Sequence, residues 1–109
     1  MIFRHYGYAE DAASFANGLN PGGYATSARG RPMSGRRAQQ KLALPHEQPP
    51  DCYFRIVADP TTIRILGPRH VRRSKIPLRL GGGIEYVFPE GTPPGSVSGP
   101  FAIPLGKRK

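Results

Sequence analysis

Cysteine and acidic residues are both scarce in this chain of 109 residues. The single cysteine, Cys52, excludes an internal disulfide and any zinc site built from several cysteines. Seven acidic residues stand against 16 lysines and arginines, which gives a formal net charge of +9. This balance favours a polyanionic partner, whether a nucleic acid, a phosphate-rich cofactor or an acidic protein.

Long apolar runs and familiar nucleotide-binding motifs are also missing. No run approaches the roughly 20 apolar residues that a membrane helix needs, so we expect no membrane partner. The first residues contain no apolar signal-peptide core, so an exported protein would carry its address elsewhere. The sequence has no phosphate-binding loop, Rossmann fingerprint or Gly-x-Ser-x-Gly elbow. His46 and His70 lack partners at ligand spacing, so we expect no metal site.

The pattern of apolar residues predicts one loop-rich domain with strands and two short helices. The expected strands cover residues 2–8, 24–27, 52–58, 61–66, 84–88 and, at an edge, 101–105. The expected helices cover 9–17, ending before Gly18, and 35–44, capped by Ser34 and ended by Pro45. Residues 67–80 are expected to form a long, basic, mobile connection. This order predicts an α+β fold with two small helices packed on a compact, mostly antiparallel sheet.

Glu85 is the acidic residue whose surroundings suggest chemistry. Glu10 and Asp11 suit a helix start, and the others lie near prolines in loops. Glu85 lies within a strand directly after three glycines, 81–83, and on the face opposite Ile84. The glycines would allow a ligand or a backbone segment to approach closely. The alternative is an exposed strand carboxylate beside a flexible hinge.

The first strand contains a second group of candidate residues. Arg4 and Tyr6 share one face, and His5 lies on the other. An arginine fork beside an imidazole can bind phosphate and ribose, although an ordinary edge strand would look the same. The basic stretch 69–75 lacks aromatic residues, so a solvated loop is favoured over a nucleic-acid site. Cys52 and Ser34 lack a base, which leaves covalent catalysis without support.

Four segments, taken in order, resemble a known toxin family. They are Arg4-His5-Tyr6, Gly23-Tyr24-Ala25-Thr26-Ser27, RAQQKLALP from Arg37 to Pro45, and Gly81-Gly82-Gly83-Ile84-Glu85. The arrangement resembles the C-terminal toxin domain of bacterial polymorphic (Rhs-type) effectors, in the branch that ADP-ribosylates elongation factor Tu. The resemblance covers nearly the whole chain, and the AQQKLALP segment followed by GGGIE is its most specific part.

The resemblance implies a fold, a substrate and a set of site residues. The fold would be the small, split, antiparallel β-sheet of the mono-ADP-ribosyltransferases, formed by one toxin domain over 1–109 and excised from a larger effector. NAD would be the substrate, without a metal, and Glu85 would be catalytic. Arg4, or alternatively His5, would hold the phosphate and ribose of NAD. The other implied NAD-site residues are Tyr6, Tyr24 on the nicotinamide side, and Thr26 and Ser27 as braces.

The resemblance also implies partners and a place of action. The domain would be secreted and would act in the cytoplasm of a recipient bacterium, where it would modify elongation factor Tu and block protein synthesis. A cognate acidic immunity protein would cover the cleft around Arg4 and Glu85. Arginine-directed members carry a second glutamate where this chain has Gly83, so the acceptor residue type stays open.

Two other functions remain as alternatives at this point. One is a toxin that acts on RNA, either as a ribonuclease that uses His5, His46 or His70 or as an ADP-ribosyltransferase with an RNA acceptor. The other is a non-catalytic basic binding module. Nucleic acid is therefore an alternative partner, but not the favoured one.

Overall fold

Alternating apolar and polar residues give the first and third strands one deeply buried apolar face. In the computed structural model, which describes residues 1–104, Phe3, Phe54 and Ile56 are at most 1% exposed. The strands are β1 (Ile2–Gly7), β2 (Gly23–Ser27), β3 (Cys52–Val57), β4 (Leu66–His70), β5 (Ser74–Lys75), β6 (Leu78–Arg79), β7 (Ile84–Phe88) and β8 (Val97–Phe101). A 3-10 helix covers Ala9–Phe15, and α1 covers Gly35–Lys41.

Six of these strands form one sheet in the order β4-β7-β2-β1-β3-β8, and its pairings are antiparallel. Strands β5 and β6 form a separate small hairpin. The prediction of a small α+β domain with a mostly antiparallel sheet and two short helices is therefore confirmed.

The hydrophobic core lies on one face of this sheet. Its buried members are Phe3, Leu19, Ala25, Ile56, Ala58 and Phe88. The ring of Phe3 meets those of Tyr86 and Phe88 edge-on, with centroids 5.0 and 5.2 Å apart. Edge-to-face aromatic contacts add to the free energy gained by burying these large side chains. The core thus joins β1 to β7 across the intervening strand β2.

The predicted strand over 61–66 is wrong, because residues 60–62 form a turn. Asp59 causes the turn: its side chain accepts from Thr61 N at 2.9 Å and its carbonyl accepts from Ile63 N at 2.9 Å. A short side chain that bonds to nearby backbone competes with strand pairing. Ile63 and Ile65 still pack against the core, so their apolar character was a correct indication of partial burial but not of a strand.

Two further strand predictions also need correction. Residues 67–80, expected to be a mobile connection, contain most of β4 and the β5–β6 hairpin, with Val71 buried at 8% exposure. The last strand is Val97–Phe101 rather than 101–105. It does lie at an edge of the sheet, next to β3. Leu105 of the predicted range lies outside the described residues.

The first helix, predicted over 9–17, is shorter and is a 3-10 helix. Its backbone makes bonds that span three residues, as from Asp11 N to the Tyr8 carbonyl and from Ala16 N to the Ala13 carbonyl. Gly18 follows with a φ of 92°, a conformation that glycine adopts more readily than other residues. The predicted end at this glycine is therefore close to the observed one.

The second helix, predicted over residues 35–44 and ended by Pro45, instead ends at Lys41. Ser34 caps its start as predicted, accepting from Arg37 N. At the other end, Ala43 has a φ of 50°, and Leu44 N donates to the Gln39 carbonyl at 3.0 Å. A left-handed residue followed by such a bond is the Schellman motif, in which glycine is usual. The helix therefore stops through the backbone conformation of Ala43.

Replacing Ala43 with glycine is expected to stabilise the protein. An L-residue in the left-handed region costs about 1–2 kcal/mol, whereas glycine loses about 0.5–1 kcal/mol more conformational entropy on folding. The net gain in the free energy of unfolding should be about 0.5–1 kcal/mol, measured by urea denaturation. Ala13→Gly, in the exposed 3-10 helix, should instead destabilise. Equal losses for both variants would contradict the role of Ala43.

Candidate functional site

Strands β1 and β2 separate after a short paired stretch. They pair only at Phe3 with Ser27 and Arg4 with Thr26, whereas β1 pairs with β3 along all six of its residues. Beyond this point a side chain replaces the backbone bonds: His5 Nδ1 lies 2.7 Å from the Tyr24 carbonyl oxygen. The backbone pairing of the two central strands is therefore interrupted beyond Arg4 and Thr26.

The register of the sheet brings the predicted polar residues to one face. Arg4 and Thr26 are direct partners, so their side chains share a face, and Tyr24 lies on that face two residues along. Val87 pairs with Tyr24, which places Glu85 on the same face. The sequence predicted only that Arg4 lies opposite His5 and that Glu85 lies opposite Ile84 on their own strands. The strand order brings Arg4 and Glu85 to the same face of the sheet.

Arg4, Tyr24 and Glu85 line a small cavity, of about 60 Å³, where β1 and β2 separate. Its lining residues are Arg4, His5, Tyr6, Tyr24, Ala25, Leu42, Leu44 and Glu85. Leu42 and Leu44, which follow α1, form its apolar wall, and its charged lining residues are Glu85 and Arg4. Of the three histidines, only His5 lines it.

The Glu85 carboxylate is fixed by an arginine that sequence reasoning did not select. Arg69 Nε donates to Glu85 Oε2 at 2.7 Å, and the side chains are 60% and 17% exposed respectively. Arg69 lies directly opposite Glu85 on β4. Its stretch was predicted to be a solvated loop, and nothing in the spacing of the two residues reveals that they pair across strands. Only Oε2 takes part in this bond, so Oε1 remains available to a ligand.

The three glycines before Glu85 form a docking point for the end of α1. Gly81 N donates to the Gln40 carbonyl at 2.7 Å, and Gly83 N donates to the Lys41 carbonyl at 2.9 Å. These carbonyls belong to the last turn of the helix: that of Lys41 has no partner within the helix, and that of Gln40 also accepts from Ala43 N at 3.3 Å. The predicted close approach is therefore made by backbone, and it connects the AQQKLALP helix directly to the strand of Glu85.

The guanidinium of Arg4 points towards the segment that follows β2, where Arg29 and Gly30 lie. It donates to the carbonyls of Arg29 at 3.4 Å and Gly30 at 2.8 Å, and its Cζ lies 5.2 Å from the centre of the Tyr53 ring. Arg4 thereby lines both the small cavity and a larger cleft of about 700 Å³ that also includes Arg55. It is the residue that connects the two spaces.

The remaining predicted residues lie in and around the site. Tyr24 is 49% exposed at the small cavity, whereas Tyr6 is buried and its hydroxyl accepts from Met33 N at 2.8 Å. Thr26 is half-buried opposite Arg4, and Ser27 lines the larger cleft. Tyr24 is therefore placed to contact a ligand in the small cavity, whereas Thr26 lines neither space and Tyr6 supports the segment around Met33.

Cys52 and two of the histidines lie apart from this cavity. Cys52 is 3% exposed, and burial, followed by a hydrogen bond to Asp51, raises the pKa of its thiol to about 12. A thiol with that pKa is not a nucleophile at neutral pH. His46 packs against the ring of Tyr8 at 4.6 Å, and His70 ends β4.

His5 is neutral in the folded protein at neutral pH. Burial lowers the pKa of its imidazole from 6.5, and the hydrogen bond to the Tyr24 carbonyl is a smaller effect in the opposite direction. Because Nδ1 faces a carbonyl, it carries the proton, and Nε2 is then an acceptor.

This shift predicts that acid destabilises the protein. Below about pH 6.5 the unfolded chain binds a proton at His5 that the folded chain does not bind, so the free energy of unfolding falls until the folded pKa is reached. Denaturation at about pH 7 and about pH 5 measures the loss, which should be smaller in His5→Gln. An NMR titration of His5 with a midpoint above 6.5 would contradict the prediction.

Residues 1–104 contain neither a cluster of metal ligands nor a membrane-spanning helix. Among residues 1–104, no group of three or more histidine, cysteine, aspartate or glutamate side chains is placed to hold a metal ion. In that same range, no helix has the length and apolarity needed to cross a membrane. Comparison with protein-family models, curated proteins and solved structures found no match.

Proposed function

We propose that this chain is an NAD-dependent mono-ADP-ribosyltransferase toxin domain. The observation that carries the proposal is the common position of Glu85, Arg4, His5 and Tyr24 around one cavity, at the point where β1 and β2 separate. A carboxylate, an arginine fork and a neutral imidazole are the groups needed to hold a ribose and a phosphate beside a developing positive charge. The resemblance of the four sequence segments to the toxin family supports the same function.

The proposed reaction breaks the bond between the ribose C1′ and the nicotinamide nitrogen. Nicotinamide leaves as a neutral molecule with the electron pair of that bond, and the ribose passes through an oxocarbenium-like state. The acceptor then forms a bond to C1′ and loses its own proton. Because the leaving group needs no protonation, the protein has to supply position and negative charge rather than an acid.

Each group at the cavity has a role in this proposal. The free Oε1 of Glu85 accepts a hydrogen bond from the ribose 2′-hydroxyl and faces the developing cation. His5 accepts a hydrogen bond from a second ribose hydroxyl through Nε2, because its Nδ1 faces the Tyr24 carbonyl. Arg4 binds the phosphate next to that ribose, and the exposed ring of Tyr24 packs against nicotinamide.

The proposed target is elongation factor Tu, which comes from the sequence resemblance alone. Modification of this factor in the cytoplasm of a recipient bacterium would stop protein synthesis. The net charge of +9 suits both the NAD diphosphate and an acidic protein surface. For the same reason we propose an acidic immunity protein that covers the cleft around Arg4 and Glu85.

The test is incubation of the protein with NAD labelled in its adenylate phosphate and a bacterial lysate, with Glu85→Gln in parallel. We expect one labelled protein band at the size of elongation factor Tu, absent with the variant. Label in RNA would retain the reaction and replace the acceptor. Degraded RNA without any consumption of NAD would contradict the transferase and favour a ribonuclease.

Arg69 is proposed to position Glu85, and this makes a separate prediction. Because Arg69 is 60% exposed, its ion pair contributes at most about 1 kcal/mol, or roughly fivefold. Arg69→Ala should therefore lower kcat by a few-fold and leave the KM for NAD nearly unchanged, as measured by NAD turnover. Arg64→Ala removes an exposed arginine elsewhere and is the control. A change confined to KM would show that Arg69 instead binds substrate.

A further inference from the structure

The apolar wall of the small cavity belongs to the segment between α1 and β3. Leu42 and Leu44 line the cavity, and both side chains are half-buried. Residues 42–51, which the structure describes throughout, form turns and bends. A segment of this kind depends on side chains from other elements to fix its position.

Arg79 on β6 holds this segment from the outside. Its guanidinium donates through Nε to the Leu44 carbonyl at 2.9 Å and through Nη2 to the His46 carbonyl at 3.3 Å. The third nitrogen, Nη1, donates to the Leu78 carbonyl at 2.9 Å. Backbone carbonyls thus engage all three nitrogens, and Arg79 forms no ion pair within residues 1–104. Its surroundings therefore use the planar fork of the guanidinium, which bridges two carbonyls of the segment.

The two adjacent glutamines of α1 complete this support. Gln39 is 7% exposed, and its Nε2 donates to the carbonyls of His46 and Glu47, each at 3.0 Å. Gln40 instead reaches the hairpin strand, where its Oε1 accepts from Leu80 N at 3.0 Å. The His46 carbonyl therefore accepts from two side chains, one on the helix and one on the hairpin. The helix and the hairpin together form one support for the leucine wall.

The base of the hairpin is fixed directly before the strand of Glu85. Val71 is buried, and its N donates to the Gly83 carbonyl at 2.8 Å. The Val71 carbonyl accepts from Gly82 N, also at 2.8 Å. Arg79 therefore extends from an element with a fixed base, as a residue that positions another segment requires.

We propose that Arg79 is a positioning residue that holds Leu44 of the cavity wall against the substrate. The inference rests on the proposed function for the identity of that substrate, and it places the wall against the uncharged part of NAD, the nicotinamide and its ribose. An apolar wall contacts the ground state and the transition state alike, so it contributes to binding and not to the chemical step. Arg69, which positions the charged Glu85, has the opposite kinetic effect.

The experiment is a double-mutant cycle on the full chain, measured by NAD turnover. Leu44→Ala removes part of the wall and should raise the KM for NAD about tenfold. Arg79→Ala should raise KM about threefold, with kcat changed less than about twofold. If Arg79 acts through Leu44, the KM of the double variant stays near tenfold, because no wall is left to hold. Independent effects would multiply to about thirtyfold and would overturn the inference.

Two control variants distinguish the fork of Arg79 from its charge. Arg79→Lys keeps the charge but not the fork, so it should raise KM nearly as much as Arg79→Ala. Arg73→Ala removes an exposed arginine directly before β5 and should change KM less than about twofold. A wild-type KM in Arg79→Lys, or equal rises in Arg73→Ala and Arg79→Ala, would assign the effect to charge and overturn the positioning role.

Hydrogen exchange gives a second readout that needs no NAD. The backbone amides of Leu44 and Gln48 both donate hydrogen bonds, so their exchange reports how firmly the segment is held. Both should exchange several-fold faster in Arg79→Ala and at the wild-type rate in Arg73→Ala. Faster exchange in a chain that neither binds nor cleaves NAD would support the positioning of Leu44 and overturn the transferase. An active transferase with unchanged exchange and KM in Arg79→Ala would overturn this inference alone.

Discussion

Glu85→Gln is expected to reduce ADP-ribose transfer by about 10²–10³-fold or more, the cost of removing one group that stabilises a transition-state charge. Glutamine has nearly the same shape and can still accept a hydrogen bond from Arg69. It lacks the negative charge that would stabilise the ribose cation. The effect should therefore fall on kcat, measured from the release of labelled nicotinamide, while the affinity for NAD changes little.

Glu90→Gln is the matched control for this variant. Glu90 is an exposed glutamate in the turn after β7, so the same change there should leave transfer unchanged. Thermal unfolding of both variants distinguishes lost chemistry from lost structure, because within residues 1–104 Glu85 has only one ion pair of modest value. Full activity in a folded Glu85→Gln protein would exclude this carboxylate as the catalytic group.

Gly81→Ala is expected to destabilise the fold by about 2–4 kcal/mol. A Cβ at this position would lie 2.7 Å from the backbone of Arg72 and Val71, where no flexible side chain can move away. Steric crowding of a packed interior costs about 1–3 kcal/mol, and the left-handed backbone adds about 1 kcal/mol. In a domain of this size the melting temperature should fall by roughly 10 °C or more.

Gly82→Ala distinguishes steric crowding from the cost of the left-handed backbone conformation. Gly82 has a φ of 94°, so it shares the backbone strain, but a Cβ there would meet nothing within 4 Å. Its loss should be about 1 kcal/mol, from the backbone conformation alone. Calorimetric melting of the two variants measures the difference. If Gly82→Ala destabilised as much as Gly81→Ala, the close approach of the 71–72 backbone would not be the reason for glycine at 81.

Much of the fold was predictable because it depends on neighbours in the chain. The alternating residues of β1, β3 and β7 define strands by themselves, and Ser34 starts α1 through a bond to a residue three positions away. The errors also have local causes. The Asp59 turn replaces a predicted strand, and the Schellman motif at Ala43 ends α1 before Pro45.

For the candidate site, too, some properties were predictable from the sequence and others were not. The sequence by itself determined which side chains share a face of each strand, because side-chain direction alternates along a strand: Arg4 lies opposite His5, and Glu85 lies opposite Ile84. It also determined the excess of positive charge. These properties need no knowledge of which strands are neighbours.

Only the tertiary structure decided which of these residues meet. The strand order places β2 between β1 and β7 and opens the gap that His5 bridges. Pairing between strands sets Arg69 against Glu85 and Arg55 against Arg4. Strand order and register depend on packing across the whole sheet, and residues that are distant in the chain carry no local pattern that reveals their contact.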